Sequence, residues 1–209
     1  STSGDTGLRR GWSLRAAPLT MVAVATNARA AMSTQDLATA LQRVHAVLQR
    51  RPEAGVHDDA PATARWSGGT RIVASHANGQ QVATDMPAEL GGTGDQVTPG
   101  WLFRAGFASC AATSIVMAAA REGIELQTLE LRASSRSDTR GLLGMADADG
   151  RPVDAMPGDV ELHVRIAANG VAPERLRALA EQGIACSPIP RAVQHAVPVA
   201  AVRFEGAPA

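Results

Sequence analysis

Apolar positions recur along this chain at two different periods, and the changes of period mark out its elements. From Ser33 to Arg51, Leu37, Ala40, Leu41, Val44, Val47 and Leu48 fall at helical spacing. Ser33 with Asp36 three residues on predicts a capped start, the acid lying at the positive end of the helix dipole. Arg50-Arg51-Pro52 predicts the stop, because cations suit the negative end and proline disfavours propagation. Residues 53–63 are turn-forming and read as a linker. Short strand-like runs follow at Ala64–Trp66, Thr70–His76 and Gln80–Thr84. The last two are joined by Asn78-Gly79, a pair that tolerates positive φ and favours a hairpin. A loop rich in glycine and proline covers Asp85–Gly100. Trp101–Glu122 is then apolar nearly all round, which predicts a buried helix stopping at Gly123. Strands are expected at Glu125–Ser134, Leu142–Ala148 and Asp159–Ala168. Helices are expected at Ala172–Gln182, with Leu176, Leu179 and Ala180 on one face, and at Ser187–Ala196, before a closing strand Val199–Phe204. Strands grouped on either side of a central helix predict an α+β fold rather than an alternating one.

The first 31 residues are the least regular. Arg9-Arg10, a mild apolar stretch from Ala16 to Ala25, and Ala28-Arg29-Ala30 imitate a twin-arginine secretion signal, but Pro18, Thr20 and Thr26 interrupt it. The segment reads as an extension, and the expected location is cytoplasmic. Residues 1–60 therefore form an N-terminal extension with a helix over about 33–51, and residues 61–209 the main domain.

Composition narrows the classes. Apolar residues are 45% of 209, enough for a core and too many for a disordered chain. The formal net charge is zero, so no basic face points to nucleic acid. No apolar run is expected to approach the ~20 residues that span a bilayer. The basic residues are all arginine and tyrosine is absent, a bias of composition rather than of function. His45, His57, His76, His163 and His195 lack metal-ligand spacing. Gly91–Gly94 lacks the lysine of a phosphate loop, and no Gly-x-Ser-x-Gly elbow is present. The two cysteines, Cys110 and Cys186, are too few for a disulfide scaffold or a cysteine zinc site. They leave a redox couple or two unrelated thiols. Cys110, among Ala108, Ser109, Ala111 and Ala112, reads either as a small buried hydrophobe or as a nucleophile, and the second needs a nearby cation or dipole to favour the thiolate.

The surroundings of both cysteines carry a resemblance. Pro87-Ala88-Glu89-Leu90-Gly91-Gly92-Thr93-Gly94, then Thr98-Pro99, then Leu102-Phe103-Arg104-Ala105-Gly106-Phe107-Ala108-Ser109-Cys110 resembles the organic hydroperoxide resistance and osmotically induced protein family (OsmC/Ohr). In that family a Gly-Gly loop leads through Asn/Thr-Pro-Glu into a helix reading roughly Leu-Phe-Ala-Ala-Gly-Tyr-Ala-Ala-Cys. The second family signature is a late Cys-Pro pair before a short helix and closing strand, and Cys186-Ser187-Pro188-Ile189-Pro190-Arg191, 76 residues after Cys110, is similar to it. The resemblance covers about residues 64–204. It implies antiparallel sheets around a buried helix, an intertwined homodimer with both sites at the interface, and a thiol peroxidase needing no metal, nucleotide or other cofactor. Cys110 would be the nucleophile, Cys186 the resolving cysteine and Arg71, in Gly68-Gly69-Thr70-Arg71, the thiolate-stabilising cation, with Arg65 behind it. An external dithiol, lipoyl-type or a small thiol, would recycle the enzyme, and the substrate would be an organic hydroperoxide. Nucleic acid and membrane are not expected partners. The other reading is a dimer of the same fold whose peroxidase chemistry has lapsed and whose apolar pocket holds a small hydrophobic ligand. A third assigns a different thiol reaction to the same pocket, with Arg104 anchoring an anion. The family's arginine-orienting glutamate falls here on Gly100. Ser187 stands directly before the proline and Cys186 one residue early, a step that turns a helical side chain by roughly 100°. The extension helix is expected to pack across the dimer. Removing residues 1–52 should then lower dimer stability, read as a shift of the monomer–dimer midpoint in sedimentation. An unchanged midpoint would remove that role.

Overall fold

Capping sets where the first helix begins. In the computed structural model, which describes residues 32–196 and 202–203, α1 (Thr34–Arg50) starts at Ser33. The Ser33 hydroxyl accepts from the Asp36 amide at 3.1 Å, and the Asp36 carboxylate accepts from the Ser33 amide. Its buried contact residue is Ala38, and it lies against the central helix. A 3₁₀ turn at Pro52–Gly55 and an exposed stretch lead to the first sheet. There β1 (Thr63–Trp66), β2 (Ile72–Ser75) and β3 (Gln81–Thr84) pair antiparallel in that order. Gly79, at φ +89°, makes the expected β2–β3 turn. One face of this sheet carries Ala64, Trp66, Ile72, Ala74 and Val82 in register. Among the described residues part of it stays open, with Trp66 74% exposed and Val82 43% exposed, while Ile72 and Ala74 are half-buried and Thr84, opposite Ile72, is buried.

The central helix, α2 (Pro99–Arg121), opens at Thr98, whose hydroxyl accepts from the Trp101 amide, and closes before Gly123 at φ +68°. Phe107, Ala111, Ile115, Ala118, Ala119 and Ala120 are buried. Ser109, Thr113, Val116 and Met117 form an exposed stripe, so within one chain the helix is packed on one side rather than all round. By length and composition α2 is apolar enough to cross a membrane, which corrects the expectation that no run approaches that length. In the fold it is the central core helix, touched by α1, by β4 and by the last two helices.

The second sheet is a long hairpin of β4 (Leu126–Arg136) and β5 (Gly158–Ala168). Leu129, Leu131 and Ala133 pair with Ile166, Val164 and Leu162 on the face turned to the helices. Glu130 pairs with Arg165 on the other, their charged ends 3.7 Å apart. The expected strand Leu142–Ala148 is instead a single helical turn, α3 (Thr139–Leu142), followed by turns and one isolated bridge, Ala146 to Pro152. Asp138 caps this turn through the Arg140 amide. At Gly141 a Cβ would lie 2.3 Å from the Asp154 carbonyl oxygen, so the chain folds back on itself here and has no room for a ladder. The apolar run read as a strand, Leu142, Leu143 and Met145, is solvent-exposed. The expected closing strand Val199–Phe204 falls outside the described residues except for Val202 and Arg203, which are exposed.

Two helices complete the fold: α4 (Pro173–Ala185) and α5 (Pro188–His195). Leu176, Leu179 and Ala180 are buried, and Leu176 and Leu179 join Ala118 and Ala119 in the core against Ile124, Leu126, Ile166, Ala168 and Val171. The α4 backbone comes close to α2 at Gly183, where a Cβ would lie 2.7 Å from the Ile115 Cα. Backbone meets backbone there, so no flexible side chain can yield. Gly183→Ala should therefore destabilise the fold by about 1–3 kcal/mol through overpacking, read as a fall in denaturant midpoint. A gain in stability, as expected of Gly→Ala in an open helix, would show that the helices have room to part.

Candidate functional site

The α4–α5 elbow delivers the site. Cys186 is the C-cap of α4 and Ser187 the N-cap residue of α5. A serine at an N-cap ordinarily accepts from the second or third helical amide. Here the third helical residue, Pro190, has no N–H, and neither does the first, Pro188. The Ser187 side chain makes no cap bond and turns inward, fully buried, with its hydroxyl donating to Cys110 Sγ at 3.1 Å. Cys110 is half-buried on α2, beside the open stripe of Thr113 and Met117. One turn earlier, Gly106 leaves room for Ile189, whose Cδ1 would sit 3.8 Å from a Cβ at that position. The α5 helix thus meets α2 at the cysteine and one turn before it, through Ser187 at Cys110 and Ile189 near Gly106.

Cys186 is free and exposed, while the residue brought against Cys110 is Ser187. The one-residue offset in the sequence has the consequence that helical geometry requires: the serine takes the inward direction and the cysteine the outward one.

Arg71, at the entrance to β2, donates to Asp85, to the Thr93 hydroxyl and to Asp95. None of its hydrogen bonds reaches Cys110 within this chain. Asp85 is buried and accepts from the Thr70 hydroxyl, the Met86 and Thr93 amides and the Thr93 hydroxyl as well. The Thr70 and Thr93 hydroxyls hold its carboxyl well below the usual carboxylate range, although burial works the other way. Asp95 is lowered too, first by Thr93, with Gln96 and the Arg71 charge adding to it. The acidic partners of Arg71 are thus Asp85 and Asp95, with Gly100 standing where the resemblance would place a glutamate. Asp95 is near Gly100 in sequence without matching the motif position, and Asp85 lies farther off, before the Gly-Gly loop. The one available signal was the density of Asp and Thr on both sides of the Gly-Gly loop. At Gly100 itself, a Cβ would meet Arg104 Nη1 at 3.7 Å, and Arg104 donates to the Ser135 hydroxyl at 3.2 Å. Arg104 thus ties α2 to β4. Arg65 is exposed on β1.

An α+β fold whose central helix carries a half-buried thiol, met by the elbow of two later helices, defines the class. The family model described as OsmC-like protein matches residues 92–202, from the Gly-Gly loop to the end of the described structure, and the chain belongs to this family. Two solved structures, the first two of those that follow, agree in fold. An OsmC-like protein from Mycoplasma pneumoniae superimposes with a TM-score of 0.55 at 16% identity, over 66% of this chain and 89% of that one. An OsmC-like protein of unknown function from Vibrio cholerae gives 0.53 at 12% identity, over 66% and 95%. An organic hydroperoxide resistance protein from Legionella pneumophila gives 0.47 at 22%, over 66% and 91%. No curated protein matches the chain in sequence.

The Asp85 cluster has a pH signature. Because the folded carboxyl titrates below its unfolded value, its stabilising contribution is complete above the ordinary carboxylate range and is lost as pH falls toward the lower folded value. Asp85→Asn should lower the denaturant midpoint at pH 7 and flatten the wild-type decline below about pH 4. A parallel decline in both proteins would show that this carboxylate does not anchor the loop.

Proposed function

We propose that the chain is a cysteine-based reductase of organic hydroperoxides, working as a homodimer and recycled by an external thiol or dithiol in the cytoplasm. The observation that carries this reading is the Ser187 hydroxyl donating to the half-buried sulfur of Cys110. A thiol placed only for packing has no need of a buried donor, whereas a thiolate in an apolar helix does. Membership of the OsmC-like family supports the substrate class. Cys110 would attack the peroxide O–O bond, giving its own sulfenic acid and an alcohol.

A second copy answers two features of the single chain. The open part of the apolar face of the β1–β3 sheet and the exposed stripe of α2 both need a cover. None of the hydrogen bonds of Arg71 reaches Cys110 of its own chain, so the cation at each thiolate would come from the other copy. The competing reading, a hydrophobic-ligand binder without peroxidase activity, draws on Gly100 and on the carboxylates that already neutralise Arg71.

The two separate on one assay. Full-length protein should consume cumene hydroperoxide with dihydrolipoamide, and Cys110→Ser should lose turnover by about 1,000-fold or more, as expected for removal of a nucleophile. Equal turnover in Cys110→Ser, or none in the wild type, would leave the binding reading standing.

A further inference from the structure

We propose that Cys110 works here as a single redox cysteine: Ser187 holds the resolver's place as a hydroxyl donor to the sulfur, and oxidised Cys110 is reduced directly by an external thiol rather than by Cys186. The inference rests on the hydroperoxide-reducing reading and changes how its second half runs.

Three observations carry it. Ser187, not Cys186, is the residue at the Cys110 sulfur, fully buried and 3.1 Å away. Cys186 is the exposed C-cap of α4, its amide bonded to the Gln182 and Gly183 carbonyls. The end of α4 is also not free to turn. Gly183, one turn before Ser187, lies backbone to backbone on Ile115, and buried Pro190 on the far side fixes the start of α5. Bringing Cys186 to Cys110 would mean unwinding the last turn of α4 and expelling Ser187 from its pocket. A disulfide needs its Cα atoms within about 7 Å and its Cβ atoms facing.

The cycle then balances as follows. The Cys110 thiolate attacks the hydroperoxide, an S–O bond forms, the O–O bond breaks, sulfur is oxidised by two electrons, and the leaving alkoxide takes a proton to become an alcohol. A small thiol attacks the sulfenic sulfur, forming an S–S bond and releasing water. A second thiolate attacks the external sulfur of this mixed disulfide, leaving an external disulfide and returning the Cys110 thiolate. Through the first step Ser187 donates to the attacking sulfur.

The test treats full-length wild type, Cys186→Ser, Ser187→Ala and Ser187→Cys with one equivalent of cumene hydroperoxide. Dimedone trapping with peptide mass spectrometry reads the product, and turnover is measured with 2-mercaptoethanol and with dihydrolipoamide. Wild type and Cys186→Ser should both give the dimedone adduct at Cys110, no internal disulfide, and turnover within about twofold of each other. Ser187→Ala should slow Cys110 oxidation by about tenfold, the loss expected for one hydrogen bond to a charged group. Ser187→Cys should lose the adduct and form a disulfide between positions 110 and 187, with hydroperoxide and equally with diamide. A disulfide between Cys110 and Cys186 in the wild type, or a tenfold loss of turnover in Cys186→Ser, overturns the inference and leaves the hydroperoxide reading intact. No diamide cross-link in Ser187→Cys overturns the placement of residue 187. Failure of hydroperoxide to oxidise Cys110 while diamide still cross-links Ser187→Cys overturns the peroxidase reading, and the inference with it.

Discussion

Where α4 crosses α2, a glycine lets two backbones meet. Gly183 lies so close to Ile115 that a methyl group has no place, and Ile115 and Leu179 around it have no solvent exposure. Close packing of this kind transmits position as a rigid contact does, because a dense interior has few ways to yield. The end of α4 is therefore held in both translation and rotation. The chemistry follows from the next residues. Once the helix is fixed at Gly183, the direction of each following side chain is set by the ~100° step per residue, and Ser187 faces Cys110 while Cys186 faces solvent. Pro190 completes the arrangement by withholding one of the two amides that would have drawn the serine into a cap.

A second constraint is electrostatic and organises the approach to the central helix. A buried carboxylate is costly unless its oxygens are satisfied, and Asp85 has the Thr70 hydroxyl, two backbone amides, the Thr93 hydroxyl and Arg71 around it. These partners come from the start of β2 and from both sides of the Gly-Gly loop. One charged group thereby joins the first sheet to the segment that enters α2. Gly92 belongs to the same requirement, since a Cβ there would fall 1.8 Å from the Met86 carbonyl oxygen. Gly92 is there for closeness of backbone and Gly91 and Gly94 for positive φ, and the loop binds its own carboxylate.

Local order in this fold was largely legible in the amino-acid sequence. The capping pair Ser33 and Asp36, the Asn78-Gly79 turn, the stop at Gly123 and the helix beginning at Pro173 are each decided by a few neighbouring residues, and each stands where those residues place it. Leu142–Ala148 was misread because apolar residues in a short run do not distinguish a strand from an exposed excursion. What decides is the contact of Gly141 with Asp154, thirteen positions away. The central helix read as buried all round for a related reason: periodicity reports which faces are apolar, not which neighbour covers them. At the site, Cys110 stood out by its motif and the one-residue offset of Cys186 from the proline by counting, but that Ser187 is the residue turned inward was not legible. Nor was the pairing of Arg71: Asp95 is near the motif position without matching it, and both it and Asp85 meet Arg71 only through the folding of a long loop.

The open surfaces give the last step. Ser109, Thr113, Val116 and Met117 run along α2 at spacings of three and four, so they form one continuous stripe. Cys110 lies at its margin, one side against the α4–α5 elbow and the other toward Thr113 and Met117. In a single chain the sulfur is thus only half enclosed, and a sulfenic acid formed there would stand next to water. The β1–β3 sheet likewise leaves apolar side chains exposed among the described residues, Trp66 and Val82 among them. A second copy laid over both surfaces would bury the sheet face, close the stripe and complete the wall of the thiol pocket in one association. Folding and catalysis would then depend on the same contact, and changes at Val116 or Met117, distant from any reacting atom, would be felt at the sulfur.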